Sequence, residues 1–461
     1  MSMSEGPQRN ESQRNRFSGR VLEHSKVREH WSPQDDSNGC VWAVDDQLLL
    51  TKRVSPDVRD WLAGQRFEPQ LLHDEGAQNL PGLEAEDDVD IVQLKLPGDR
   101  DVFSVVTELR REVLREAPDD VSPNHILVPA SWGDACPSGP PSEYDGAVPG
   151  PPTGDFSPQI TLIDSGYQWN EEDWGTNPLE VLLGHTQAYH PGRWPSGAGW
   201  VDTPPDVPDG EHPSAPQRLD ALAGHGNFAA GELAQRLYEP EIAIWNHNGS
   251  FVGNDLAHVP TEIAVLNTLL RSQQETQTPV ILIVFAFAVF EGLPAAVWTK
   301  VLAQIERHNP NFVLVAPAGN QGSKIRRYPA ALALENRRVI SVASIDTLDD
   351  HCRSCFSNYG TKNDPWVTCS AIGEEVLSTF LHVDLPPEED PEPPGSPPKP
   401  YDFADHNSWA IWQGTSFAAP KIAAAIANEL ENTPDALDAW NSLAQGRQVF
   451  YNVGIKFDDL G

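Results

Sequence analysis

Basic side chains are scarce in this 461-residue chain: 32 Lys and Arg stand against 67 Asp and Glu, a formal net charge of -35. So strong an acidic excess argues against nucleic acid and anionic membrane surfaces as partners. Basic peptides or cationic proteins would be attracted instead, and the simpler reading is a solvated acidic surface that keeps the protein soluble. Long apolar runs are also lacking. The most apolar stretch, VILIVFAFAVF from Val280, is too short to span a bilayer, and the N-terminal MSMSEGPQRNESQRNRFSGR has no signal-peptide core. The expectation is a soluble protein kept in the cytoplasm, with no membrane contact. Cysteine is sparse, five in all and an odd number, which suits a reducing compartment better than a disulfide framework. Cys352 and Cys355 in HCRSC have the spacing of zinc sites and redox pairs. No second C-x-x-C or H-x-x-x-H accompanies them, so no metal site is expected.

What is present divides the chain. Residues 1–20 are polar and read as a disordered tail. Residues 21–132 read as a small α+β domain. VWAVDDQLLL is a strand and VSPDVRDWLAG a short helix. IVQLKL alternates with period two, and DVFSVVTELRREVLREA places Val102, Val105, Val106, Leu109 and Val113 on one helical face before a short strand, HILVP. A Pro/Gly linker follows over 133–155. From 156 to 440, apolar runs (QITLID, EIAIW, PVILIVFAFAVF, FVLVAPAG, VISVASI) alternate with helical patterns, as in a doubly wound, mostly parallel α/β sheet. Two inserts interrupt it: 173–222, rich in Pro, Gly and Trp, and the acidic, Pro-rich 385–408. Both read as surface excursions. Residues 441–461 read as a C-terminal extension.

In open parallel sheets functional groups gather where strands end and helices begin. Four polar residues obey that rule. Asp164 closes the strand QITLI, His225 opens the helical pattern of HGNFAAGELAQRL, Asn320 follows the strand FVLVAPAG, and Ser416 stands at the start of the alanine-rich helix in GTSFAAPKIAAAIANEL. That helix must begin close to Ser416, because Pro420 is tolerated only near a helix start. Each residue alone has a plainer explanation: a turn aspartate, a capping histidine or serine, an Asn-Gln-Gly loop. Together they form a complete set for acyl transfer: an acid to orient an imidazole, an imidazole to take a proton from a hydroxyl, and an amide to face an oxyanion.

LIDSGY, HGNFAAG, APAGNQG and GTSFAAP resemble the four signature segments of the subtilisin-like serine proteases, in that family's order of Asp, His, Asn and Ser. VISVASIDTLDD, CFSNYG and SAIGEEVLSTF resemble the run between the last two segments. The resemblance spans roughly Phe156 to Leu430. It implies Ser416 as nucleophile, His225 as general base, Asp164 as its orienting partner, and the Asn320 side chain with the Ser416 N–H as oxyanion hole. Gly319 would line the pocket for the residue before the scissile bond. The implied activity is a serine endopeptidase acting on a protein or peptide substrate, with basic substrates favoured by the acidic surface. The alternative is a catalytically silent peptide-binding or regulatory module of the same fold.

Two departures matter. Asn227 stands where the family usually has Thr, and the substrate edge shows Phe285, Phe287, Phe290 and Glu291, bulky enough to narrow a groove. Calcium is frequent in the family, and its ligands cannot be placed here; no other cofactor is implied. The segment from Val89 to Pro129 resembles the end of the propeptide domains that precede many such proteases. It would make the N-terminal domain an intramolecular partner, with self-cleavage expected between Trp132 and Asp155.

Overall fold

The computed structural model describes residues 27–31, 40–65, 70–71, 91–96, 100–129, 141–144, 146–150, 152–154, 156–167, 179, 182, 201–202, 218–219, 224–238, 240–246, 261–293, 296–346, 352–381, 408–450, 452–457 and 460. The N-terminal part is a sheet with helices packed on it. Its strands are β1 (Val27–Trp31), β2 (Cys40–Thr51), β3 (Gln70–Leu71), β4 (Ile91–Lys95) and β5 (Val121–His125), all paired antiparallel; β2 is central, bonded to β1, β4 and β5. Helix α1 is Ser55–Gly64 and α2 is Val102–Glu112. The α2 start is fixed by Asp101, whose carboxylate accepts from the Ser104 N–H at 2.9 Å. Its apolar stripe, Val102, Val105, Val106 and Leu109, packs on Leu48, Leu50 and Leu94 of the sheet.

The last strand of this layer begins earlier than the periodicity of HILVP suggests. It runs over Val121–His125 against β2, with Pro123 opposite Leu48, and Ile126 pairs instead with Thr261. Val128–Pro129 then forms a separate strand, β6, antiparallel to Phe285–Ala286. Ser142–Glu143 of the expected linker is likewise a strand, β7.

The second layer system is an eight-stranded sheet. In chain order its first strand is β8 (Gln159–Asp164). Val201–Asp202 (β9) and Arg218–Leu219 (β10) form a small antiparallel ribbon aside. Next come α3 (His225–Ala234), β11 (Glu241–Asn246), α4 (Glu262–Glu275), β12 (Val280–Ile283), the edge strand β13 (Phe285–Ala286) and α5 (Ala296–His308). The chain continues through β14 (Val313–Pro317), β15 (Val339–Ile345) and β16 (Cys369–Ile372), and a hairpin, β17 (Val376–Thr379) with β18 (Trp409–Trp412), to which β7 adds. Helices α6 (Thr415–Glu429) and α7 (Ala436–Ala444) and strands β19 (Val449–Phe450) and β20 (Gly454–Phe457) complete it.

The strand order is β11-β8-β12-β14-β15-β16-β20-β19, parallel throughout except for β19 against β20. This is an α/β fold of the doubly wound kind. From β8 the chain moves outward to β11, then crosses back to β12, so the order reverses at β8. Right-handed crossovers then put α3 on one face and α4 and α5 on the other. Helix α6 packs on α3 and over β12, β14, β15 and β16. Residues of β8, β12, β14 and β15 are buried on both faces, which explains why they read as unbroken apolar runs.

Three expectations need amendment. The region beyond 440, expected as an extension, supplies β20 to the main sheet. The 173–222 insert is not purely superficial, because Leu179 and Leu182 are buried in the main core; most of the rest of it lies outside the described residues, as do 1–20 and 385–407. Pro420 lies in the second turn of α6, whose first residue is Thr415. Having no N–H, it makes no bond to the Ser416 carbonyl one turn earlier.

The two parts meet through side chains as well as β6. Ala288 and Phe290 are buried in the N-terminal core, where Phe290 packs against Phe103 with ring centroids 4.9 Å apart. Arg110 of α2 reaches back to the Phe290 carbonyl at 3.4 Å and to Glu291 at 3.2 Å. Phe287 lies in the main core beside Trp298 and Tyr328. The aromatic residues of the edge therefore point into the two cores, and what occupies the edge backbone is the chain's own Val128–Pro129. Among the described residues no helix is long and apolar enough to cross a membrane.

Candidate active site

The end of β8 and the start of α3 are drawn together by backbone that tolerates no side chain. A Cβ on Gly226 would overlap the Gly166 carbonyl, so only glycine permits the first turn of α3 to lie on the loop after β8. The Ser165 hydroxyl accepts from the Gly226 N–H at 3.1 Å, and the Asn246 side chain donates to the Ser165 carbonyl at 2.6 Å. Before the helix, Gly224 has φ +76°, with the Phe380 ring where a Cβ would stand. These constraints deliver His225 to Asp164. Its Nδ1 lies 2.8 and 2.9 Å from the two carboxylate oxygens, and both side chains are fully buried. Asp164 also accepts from the Ser165 N–H at 2.5 Å. With a carboxylate facing Nδ1, the neutral imidazole carries its proton there, leaving the Nε2 lone pair open.

The other two candidates are joined by Thr415. The Asn320 Oδ1 accepts from the Thr415 N–H at 2.9 Å and from its hydroxyl at 2.8 Å, and that hydroxyl accepts from the Gly319 N–H at 3.1 Å. With its oxygen so engaged, the Asn320 amide must turn its Nδ2 the other way. Asn358 holds the same loop: its Oδ1 accepts from the N–H groups of Gln321 and Ser323 at 3.1 and 3.0 Å, and its Nδ2 donates to the Ala318 carbonyl at 2.9 Å. Gly319 has φ +94° and lies against Asn358, Gln321 and Arg327. Ser416 is the second residue of α6, where first-turn amides have no helical partner.

Ser416 Oγ, His225 Nε2 and Asn320 Nδ2 are all buried, and none makes a hydrogen bond, not even Oγ to Nε2. Buried polar atoms are ordinarily paired. The three residues are linked through neighbours: Asn320 bonds Thr415, the residue before Ser416, and Phe417, the residue after it, packs on the His225 ring at 5.2 Å. Asn227, on α3, is bound through its backbone: its carbonyl accepts from the Thr379 hydroxyl at 2.9 Å, and the adjacent Phe228 carbonyl accepts from Ser378 at 2.7 Å. Sequence reasoning noticed Thr415 only as a neighbour of Ser416 and missed the roles of Ser165 and Asn358. The signal for Ser165 lay in the Asp-Ser-Gly turn; that for Asn358 lay in the resemblance of CFSNYG, to which no role was attached.

The cysteines arrange differently from expectation. Cys355 is disulfide-bonded, whereas Cys352 is an exposed thiol, so the pair does not offer two thiolates to one metal ion. Burial pushes the Cys369 thiol well up. Among the described residues no three His, Cys, Asp or Glu side chains gather as a metal site.

Residues 291–448 match the sequence model of the subtilase family. No curated protein matches the chain. Among solved structures, the chain resembles fervidolysin from Fervidobacterium pennivorans, a keratinolytic enzyme related to subtilisin: identity 14%, coverage 91% of this chain and 61% of that one, TM-score 0.53. The chain thus spans less than two thirds of that protein's length. The epidermin leader peptide processing serine protease of Staphylococcus aureus matches at 15% identity over 90% of this chain and 96% of that one, TM-score 0.47. A cold-adapted subtilisin-like proteinase matches at 16% over 63% and 81%, TM-score 0.38. At these identities the likeness concerns the fold. The 291–448 segment thus matches the subtilase family, and the α/β fold of the chain is subtilisin-like.

Proposed function

We propose that the chain is a serine endopeptidase that hydrolyses peptide bonds through Ser416, His225 and Asp164. The observation that carries this reading is that Ser416 Oγ, His225 Nε2 and Asn320 Nδ2 are all buried without a partner, on residues linked through Thr415 and Phe417, while Asp164 already holds the imidazole. Ser416 Oγ adds to the substrate carbonyl as His225 Nε2 takes its proton. Asp164, accepting from Nδ1–H, orients the ring and stabilises the imidazolium. The negative charge on the carbonyl oxygen is met by Asn320 Nδ2 and the first-turn N–H of Ser416, with the helix dipole behind them. His225 then gives its proton to the departing amine, and water, deprotonated by the same nitrogen, releases the acid. The missing Oγ to Nε2 bond suits a free enzyme, where such contacts tighten only with substrate.

The edge strand supports a peptide rather than a small ester as substrate. Phe285–Ala286 offers backbone groups in an extended register, and the chain's own Val128–Pro129 already pairs there antiparallel. The same pairing supports the N-terminal part as an internal restraint that competes with substrate for that edge. Gly319, next to the oxyanion donor, would face the residue before the scissile bond.

Fluorophosphonate labelling followed by tryptic mapping tests the reading. Modification confined to Ser416 and lost in Ser416→Ala is expected. An unlabelled protein, even after removal of residues before Asp155, would overturn it in favour of a silent peptide-binding module.

A further inference from the structure

His225 is held at Nδ1 by a carboxylate and packs against two aromatic rings. The Trp412 indole meets the imidazole nearly at right angles, with centroids 5.7 Å apart and planes at 78°; Phe417 lies 5.2 Å away at 39°. Trp412 and Phe417 touch each other at 5.1 Å, and Phe228 closes the group at 5.7 Å from Trp412 and 4.4 Å from Phe417. Phe380 packs on Trp412 at 6.0 Å and on the backbone of Gly224, the residue before His225. All four rings are buried, and they come from separate places: the hairpin strands lead into Phe380 and Trp412, α6 carries Phe417 and α3 carries Phe228.

The hydrogen bonds to Asp164 fix only the Nδ1 corner of the imidazole, about which the ring can swing. The distance from Nε2 to Ser416 Oγ depends on that swing, and the bond between them is still to be closed. We propose that Trp412 is a positioning residue for His225: its rigid indole, braced by Phe380, Phe228 and Phe417, stops the swing and keeps Nε2 turned toward Ser416. This inference rests on the proposed peptidase reading for its kinetic consequence, and on geometry alone for its structural one. Trp412 is assigned no chemical step. Its effect passes through the imidazole, and a misplacement of about 1 Å in such a group can cost on the order of 10²-fold in rate.

The test compares Trp412→Leu with Trp412→Phe, both apolar and smaller than Trp, of which only Phe keeps a flat ring. Trp412→Leu is expected to lower kcat and the rate of fluorophosphonate labelling by about 10- to 100-fold while KM stays within about threefold. Trp412→Phe is expected to recover most of the loss. Equal losses in the two variants, or an unchanged kcat in Trp412→Leu, would overturn the proposal. The low-field proton resonance of the His225 Nδ1–H, bonded to Asp164, gives a readout that needs no turnover. It should be sharp in the parent and in Trp412→Phe and broadened in Trp412→Leu; a resonance equally sharp in all three would also overturn it. A parent protein that does not label at Ser416 would instead remove the peptidase reading, and the resonance would still decide the role of Trp412.

Discussion

His125 Nδ1 and Glu262 Oε2 lie 2.6 Å apart with neither side chain exposed, one at the end of β5 and the other in the first turn of α4. The rest of each group is also engaged: the Phe290 N–H donates to His125 Nε2 at 3.2 Å, and the Trp298 indole donates to Glu262 Oε1 at 2.7 Å. One residue away, Asn124 Oδ1 accepts from the Ile263 N–H at 3.2 Å, capping a helix whose own Thr261 side chain makes no cap. The N-terminal part thus completes the polar bonding of the larger one. Glu262→Ala would leave two buried donors without an acceptor, at about 1–3 kcal/mol each. A lowered urea midpoint with an unchanged slope is expected; an unchanged midpoint would contradict the account.

Asn320→Ala removes the side-chain amide that the proposed mechanism aims at the oxyanion. On the proposed mechanism kcat falls by about 10²–10³ with little change in KM, the cost of deleting one such donor in a subtilisin. Steady-state kinetics on a fluorogenic peptide measures it. Because Asn320 also ties down Thr415, Thr415→Val should give a smaller loss in the same direction.

Gly226→Ala introduces a methyl group where the Gly166 carbonyl stands. Helix α3 must retreat, taking His225 from Asp164. Loss of fluorophosphonate labelling with retained far-UV circular dichroism is expected, and a fully labelled variant would show that the close approach is dispensable.

Lys421, buried on α6, has its ammonium pKa pushed below the ordinary value of 10.5, chiefly by lost hydration, with Glu232 pulling partly back and Arg236 pushing further down. Between the depressed folded value and 10.5 the unfolded chain binds more protons, so stability rises with pH across that window and is lost as pH falls through the folded value. Lys421→Met removes the charge that burial penalises. Its unfolding midpoint at neutral pH should exceed the parent's, and the alkaline rise should flatten; thermal scans between neutral and alkaline pH decide.

If the proposed activity acts on its own chain, a cut between Trp132 and Asp155 follows, since β6 already runs along the edge strand Phe285–Ala286. Intact mass of the purified protein should show two fragments, and Ser416→Ala should stay whole. A full-length mass for active parent protein would exclude the cut.

The parts of this fold that were legible in the sequence are those where a local pattern coincides with burial. β8, β11, β14 and β15 are apolar runs because both faces are covered, and α2 shows its stripe because one face is. Asp164 and His225 could be placed at a strand end and a helix start for the same reason. What escaped was structure defined by partners. Val128–Pro129 reads as the end of one strand, HILVP, not as a separate strand with its own partner, and Ser142–Glu143 is a two-residue strand only because another segment lies alongside. β20, with Gly454 and Lys456 in four residues, offers no apolar signature, and its place depends on β16. The Phe residues after Val284 suggested a crowded groove because a sequence does not say which of two cores a side chain enters.

Phe290 turns that ambiguity into a question of time. Its ring is buried among residues of the N-terminal layer while its backbone belongs to the larger one. A break in the connecting chain would sever the covalent link and leave this plug in place. Exposing one phenylalanine to water costs about 1.5–3 kcal/mol. Each 1.4 kcal/mol is about a tenfold factor, so this one side chain lengthens the residence of a severed N-terminal part by roughly one to two orders of magnitude. Cutting and letting go would then be separate events, the second set by how slowly a greasy side chain leaves its socket.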